Sequence, residues 1–180
     1  MFDYNIVVYT DTNGNRSILK KPTWGTCAGL ILLAAEANAV SAKQGGQDLV
    51  GGLAVRVNRN HFGRQRESFE AQLDLPFLSP SSPISTTETS STPTPPFPAV
   101  FIRAPIVESL LSEEVETLAV AHRNGEDDIV AVRQGHVFGT SFHPELAGDS
   151  RVHEWWLAGI LEAMSTKAIA DHGSANHGNI

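Results

Sequence analysis

The sequence predicts an α/β fold. Three stretches carry that expectation: an extended segment that turns sharply into an apolar helix after Lys21, three hairpin-linked strands between Val115 and Phe142, and a closing helix from Arg151 to Met164. Strand signals interleaved with helical periodicity are the pattern of a sheet covered by helices.

The first stretch, Lys21 to Ala35, reads K-P-T-W-G-T-C-A-G-L-I-L-L-A-A and holds the chain's single cysteine, Cys27. Pro22, Thr23 and Trp24 suit an extended segment, and Gly25 and Gly29 flank the thiol closely enough for a turn that larger side chains would crowd. A nucleophile on such a strand-to-helix turn stands clear of the sheet beside helix N-terminal amides, which favour an anion. The backbone N–H of Ala28 is the nearest oxyanion donor. A lone cysteine is more often a small buried hydrophobe than a nucleophile. The balance tips at Phe138 to Glu145, F-G-T-S-F-H-P-E, an alternating strand that delivers His143 and Glu145 beyond its end. A thiol needs a base and the base needs an orienting carboxylate, so Cys27, His143 and Glu145 form a candidate triad.

The remaining elements follow in order. Residues 1–21 form a leader in which Tyr4 to Tyr9 alternates and Asn13-Gly14 signals a hairpin turn. The helix after Cys27 is expected from Ala28 to about Ala39, ended by the polar and glycine residues Ser41 to Gly46. Gly51 to Val57 alternates as a strand and leads into a polar, turn-forming stretch, Asn58 to Glu70, with Arg59, Arg64 and Arg66. Such arginines are ordinarily solvated, although a pocket for an α-carboxylate requires a forked cation of this kind.

Ser79 to Pro98 is Ser, Thr and Pro with almost nothing to bury, and reads as a disordered insertion within one domain of residues 22–165. Val100 to Ile102 then make a short buried strand that Arg103 leaves. Strands are expected over Val115–Ala121, Ile129–Arg133 and Val137–Phe142, with turns at Asn124-Gly125 and Gln134-Gly135 and a solvated acidic turn at Glu126, Asp127 and Asp128. The closing helix spaces Val152, Trp155, Trp156, Gly159, Ile160 and Ala163 helically, which makes both tryptophans core or interface residues. Residues 166–180 read as a flexible tail.

Composition narrows the function. At 180 residues, 41% hydrophobic and 18% charged, the chain is one globular domain with room for a sizeable core. A net charge of −7 without a Lys/Arg cluster argues against a nucleic-acid face. One cysteine forms no internal disulfide, which suits the cytoplasm, and the longest apolar run, Ala28 to Ala35, is too short for a bilayer. The opening residues lack the basic and apolar regions of a secretory signal.

Several blocks together carry a resemblance. G-T-C-A-G-L-I-L-L-A, G-G-L-A-V-R-V-N-R-N-H-F-G-R-Q-R-E-S-F-E, V-F-I-R-A-P, and V-A-V-R-Q-G-H-V-F-G-T-S-F-H-P-E-L followed by R-V-H run from about Pro22 to His153. With them the chain resembles the class I glutamine amidotransferases, and more narrowly the glutaminase subunit of pyridoxal 5′-phosphate synthase, which makes vitamin B6 with a separate synthase subunit. The resemblance implies a three-layer, flavodoxin-like α/β fold with an antiparallel hairpin portion. It implies a Cys27, His143 and Glu145 triad, glutamine contacts from Arg59, Ile102 and Arg103, no metal and no organic cofactor. L-glutamine would be hydrolysed to L-glutamate, and the ammonia passed to the synthase subunit. Members of that family carry a first strand like I-G-V-L-A-L-Q-G and a P-G-G-E-S-T loop that completes the oxyanion hole; neither stands between Met1 and Lys21. The departure implies a shortened sheet with an exposed edge and weak or absent activity. The alternative role is a non-catalytic member that only binds the synthase partner.

Overall fold

Alternation of apolar and polar residues builds most of the strands, and the computed structural model of the protein describes residues 21–38, 49–59, 68–79, 94–123 and 125–174, with side chains through Ser165. The leader hairpin, Arg64 and Arg66, most of the Ser/Thr/Pro stretch and the last six residues lie outside these. The elements are β1 (Thr23–Thr26), α1 (Ala28–Leu33), β2 (Ala34–Ala37), β3 (Leu53–Asn58), β4 (Ser68–Leu73), β5 (Phe97–Ile102), β6 (Ile106–Leu110), β7 (Glu116–Arg123), β8 (Glu126–Gln134), β9 (Val137–Thr140) and α2 (Arg151–Ser174). Single 3-10 turns occupy Pro76–Leu78 and Pro144–Leu146.

Among the described residues, one seven-stranded mixed sheet runs β1-β9-β8-β6-β3-β2, with β7 also on β8, and β4 and β5 form a separate antiparallel pair. The β1/β9 and β2/β3 pairings are parallel, the others antiparallel. The sheet curls around α1. A Cβ placed on Gly139 of β9 would lie 2.6 Å from Leu30 Cδ1 and 2.9 Å from Leu53 Cδ1, so side chains of α1 and β3 meet over β9 although β8 and β6 separate β3 from β9 in pairing order. Leu30, Leu33, Leu53, Val55, Val57, Val107, Val132 and Val137 fill that interior. The opposite core is aromatic: Phe97, Phe101, Phe138 and Phe142 are fully buried, with Trp24, Trp155 and Trp156 packed against them. Phe69 of β4 stacks on Phe101 at 4.6 Å and Trp155 meets Phe138 at 5.2 Å, contacts that add about 1 kcal/mol each beyond the area they bury. The expected α/β class is therefore present, and both tryptophans of α2 pack, partly buried, against the aromatic core.

Five expectations need correction. The helix after Cys27 ends at Leu33, six residues short: Ala34 turns extended (φ −65°, ψ 150°) and Ala34–Ala37 pair with β3. The backbone N–H groups of Val50 and Gly51 take the Leu32 carbonyl at 2.7 and 3.1 Å, so the helix end is satisfied and sheet pairing outweighs the helix propensity of alanine. The polar stretch Asn58 to Glu70 ends in a strand, because Phe69, Ala71 and Leu73 turn inward while Ser68, Glu70 and Gln72 face out. The end of the Ser79–Pro98 stretch is structured: Phe97 and Pro98 belong to β5, opposite Leu73 and Gln72. Glu126, Asp127 and Asp128 open β8 rather than forming a turn, and Asp128 is buried. The last helix runs on to Ser174, ten residues past the expected Met164 and into the segment read as a tail.

Arg151 ties the start of α2 to that returning segment. Its guanidinium bonds Asp149 at 2.6–3.0 Å, donates to the carbonyls of Pro95 (2.7 Å) and Pro96 (3.1 Å), and lies 5.8 Å from the Phe97 ring centre. Replacing Arg151 by Ala is expected to cost about 1.5 kcal/mol, the worth of hydrogen bonds to a charged donor. Those bonds hold the Asp149 carboxyl below its ordinary 3.8. That contribution is present above the unfolded value and lost as pH falls through the folded one. Urea unfolding at pH 7 and at pH 3 checks both: the gap between parent and variant should narrow in acid.

Candidate active site

The thiol owes its position to a strained turn. Cys27 leaves β1 with φ 50° and ψ −106° and caps α1. Its N–H donates to the Thr140 carbonyl at 2.7 Å, which fastens the turn to the end of β9. Among the described residues only one other non-glycine has positive φ, Arg103 at 45°. It directly follows Ile102, whose carbonyl lies 3.8 Å from Cys27 Sγ. Backbone strain of this kind persists only where surrounding structure enforces it, and it gathers at functional sites.

His143 arrives from the neighbouring strand. The chain leaves β9 at Thr140, the Ser141 N–H donates to Val130 O and the His143 N–H to Val100 O, both at 2.8 Å. The backbone that carries the imidazole is thus tied to β8 and β5. The ring Nδ1 contacts Glu145 Oε1 at 2.7 Å, within the 3-10 turn that Pro144 starts. The imidazole also interacts with the cysteine side chain. The hydrogen bond to the Cys27 sulfur raises His143 from 6.5 to about 9; partial burial opposes this, and the Glu145 hydrogen bond and both neighbouring charges add to it. The thiol also donates to the Ile102 carbonyl.

The structure therefore brings Cys27, His143, Glu145 and the Ile102 carbonyl into one cluster. Ala28 is the first residue of α1, where an amide has no acceptor within its own helix. Arg103 is exposed beside the cluster, one residue beyond Ile102. Arg59 is half-buried just past the end of β3, and its backbone N–H donates to Asn38 Oδ1 at 3.2 Å. The contributions of Thr140, Trp24 and Val100 to the site are not evident in the sequence. Only T-S-F-H, a buried hydroxyl residue three before the histidine, could have pointed to the first. Among the described residues no group of His, Cys, Asp and Glu is arranged to hold a metal, and no helix is long and apolar enough to cross a membrane.

Comparison with known proteins gives the family. The chain is 41% identical over 136 residues to an uncharacterized glutaminase of Schizosaccharomyces pombe, covering 76% of this chain and 54% of that protein. It is 46% identical over 140 residues to the pyridoxal 5′-phosphate synthase subunit PdxT of Thermococcus onnurineus, covering 78% of this chain and 60% of the relative. A crystal structure of a glutamine amidotransferase superposes with a TM-score of 0.55 at 40% identity, covering 76% of this chain and 60% of that one. The chain thus spans a little over half the length of these relatives. The model of the SNO glutamine amidotransferase family matches residues 13–162, and the chain belongs to that family.

Proposed function

We propose that this chain is the glutaminase of a pyridoxal 5′-phosphate synthase and releases ammonia from L-glutamine for a synthase subunit. The observation that carries the reading is the Cys27–His143–Glu145 cluster on a strained turn, in a chain of this family. Cys27 thiolate attacks the side-chain carboxamide carbon and a C–S bond forms. The Ala28 N–H holds the oxyanion, and the tetrahedral intermediate collapses as His143 hands its proton to the departing ammonia. Neutral His143 then takes a proton from water, whose oxygen attacks the thioester, and glutamate leaves with the thiolate restored. Glu145 fixes the imidazole through Nδ1, so that the opposite nitrogen faces sulfur.

The Ile102 carbonyl is an acceptor for the carboxamide N–H, while Arg59 and Arg103 are the forked cations for the α-carboxylate. The reaction needs no metal or organic cofactor, pyridoxal phosphate being the product of the complex, and the single cysteine suits the cytoplasm. The alternative is a family member that binds the synthase subunit without turning over glutamine. Glutamate release by the parent and by Cys27→Ala, each with and without a synthase subunit, separates the two. Release that needs Cys27 establishes the first; none above the variant, with co-purification of the subunit retained, establishes the second.

A further inference from the structure

Thr140 holds both halves of the cluster at once. Its carbonyl accepts the Cys27 N–H at 2.7 Å, on the strained turn. Its hydroxyl accepts from Trp24 Nε1 at 3.2 Å and donates to the Phe142 carbonyl at 3.2 Å. Trp24 stands three residues before the thiol and Phe142 one before the imidazole, while Thr140 itself is fully buried. A buried hydroxyl has one proton and two lone pairs, and this one uses its proton and one lone pair in opposite directions. The result is a continuous relay, Trp24 to Thr140 to Phe142, linking the strand that carries Cys27 to the bend that carries His143.

The β1/β9 pairing alone does not set that bend. The pairing register ends at Thr26 opposite Thr140, and the chain then turns away through Ser141 and Phe142 before His143. Within that turn the Thr140 hydroxyl is the side-chain group bonded to the Phe142 carbonyl, and so fixes the peptide that precedes the imidazole. The indole is itself immobilised, at 5.2 Å from Phe138, 5.1 Å from His153 and 6.0 Å from Trp156. Valine in place of Thr140 would keep the shape and the backbone bond to Cys27. It would leave the part-buried indole N–H without its acceptor and release the Phe142 carbonyl.

We propose that Thr140 is a positioning residue whose hydroxyl, anchored by Trp24, sets the distance between the Cys27 sulfur and the His143 ring. The proposal rests on the triad reading above, but its test does not need turnover. Because Cys27 is the sole cysteine, its alkylation by iodoacetamide reports the thiol–imidazole pair directly. The titratable groups facing the imidazole are Cys27, from the β1–α1 turn, and Glu145, from the turn after β9.

The experiment is the pH profile of alkylation for the parent, Thr140→Val, Thr140→Ser and Trp24→Phe, each confirmed folded by circular dichroism at the assay temperature. The expected result is that T140V moves the alkaline limb from about 9 toward 6.5 by roughly one unit, with about tenfold weaker alkylation of the paired form. T140S should restore the parent profile, and W24F should fall between. A T140V profile that overlays the parent, however much its melting temperature drops, would overturn the proposal and leave Thr140 a purely structural residue. A T140S profile like that of T140V would overturn it equally. Should T140V fail to fold, W24F decides: a displaced limb supports the relay and an unchanged one refutes it. Alkylation that behaves as expected in protein that releases no glutamate would uphold the relay while removing the glutaminase reading.

Discussion

On the proposed glutaminase mechanism, replacing His143 with Gln is expected to lower glutamate release by roughly 10⁴-fold at saturating glutamine with the synthase subunit present. Glutamine can form hydrogen bonds in the space of the imidazole, but it neither takes the thiol proton nor passes one to ammonia. Both chemical steps lose their proton carrier, so the fall should appear in kcat with KM little changed. The pH dependence carries a second signature. His143 is raised from 6.5 to about 9, so the imidazolium is favoured in the folded protein. Its contribution to stability is fully present below about 6.5 and is lost as pH rises through about 9. Melting temperatures of parent and H143Q should therefore differ at pH 6 and converge by about pH 10, and the parent's activity should decline on its alkaline side near 9. A kcat within tenfold of the parent would remove His143 from the mechanism.

The legible parts of this site were those written in residue types with few alternative uses. A lone cysteine between two glycines predicts a sharp turn, and the turn is present, with positive φ at Cys27 itself. Proline after His143 predicts that the strand has ended, and Pro144 does open the 3-10 turn that sets Glu145 against the ring. What escaped depended on partners distant in sequence. Ala34–Ala37 has helical composition and becomes a strand because β3 lies beside it to be paired. β4 hides its alternation among arginines and glutamates, and its inward face becomes visible only through the stacking of Phe69 on Phe101. Arg103 carries a positive φ that no rule for arginine would assign, since the conformation is imposed by what surrounds it. The hydroxyl of Thr140 spans 116 residues to reach Trp24, a distance at which local pattern carries no information.

Gly25→Ala is expected to destabilise the protein by about 3 kcal/mol, which lowers the melting temperature by roughly 10 °C in a domain of this size. Gly25 lies where β1 passes under α1. A Cβ there would stand 2.5 Å from the Gly29 carbonyl carbon, 2.6 Å from its oxygen and 2.7 Å from Leu33 Cδ1. Two of these three atoms are helix backbone and cannot rotate away. Relief requires α1 to lift from the sheet, and α1 fills the interior with Leu30 and Leu33. Its first residue also follows Cys27 directly, so lifting the helix moves the thiol away from His143 and slows alkylation as well as lowering stability. Gly139→Ala provides the comparison, because there the nearest atoms are the methyl ends of Leu30 and Leu53, which can change rotamer. Urea unfolding of the two variants should rank Gly25→Ala as the more damaging by about 1–2 kcal/mol. A Gly25→Ala protein as stable as the parent would show that β1 and α1 do not make the close approach on which the cysteine turn depends.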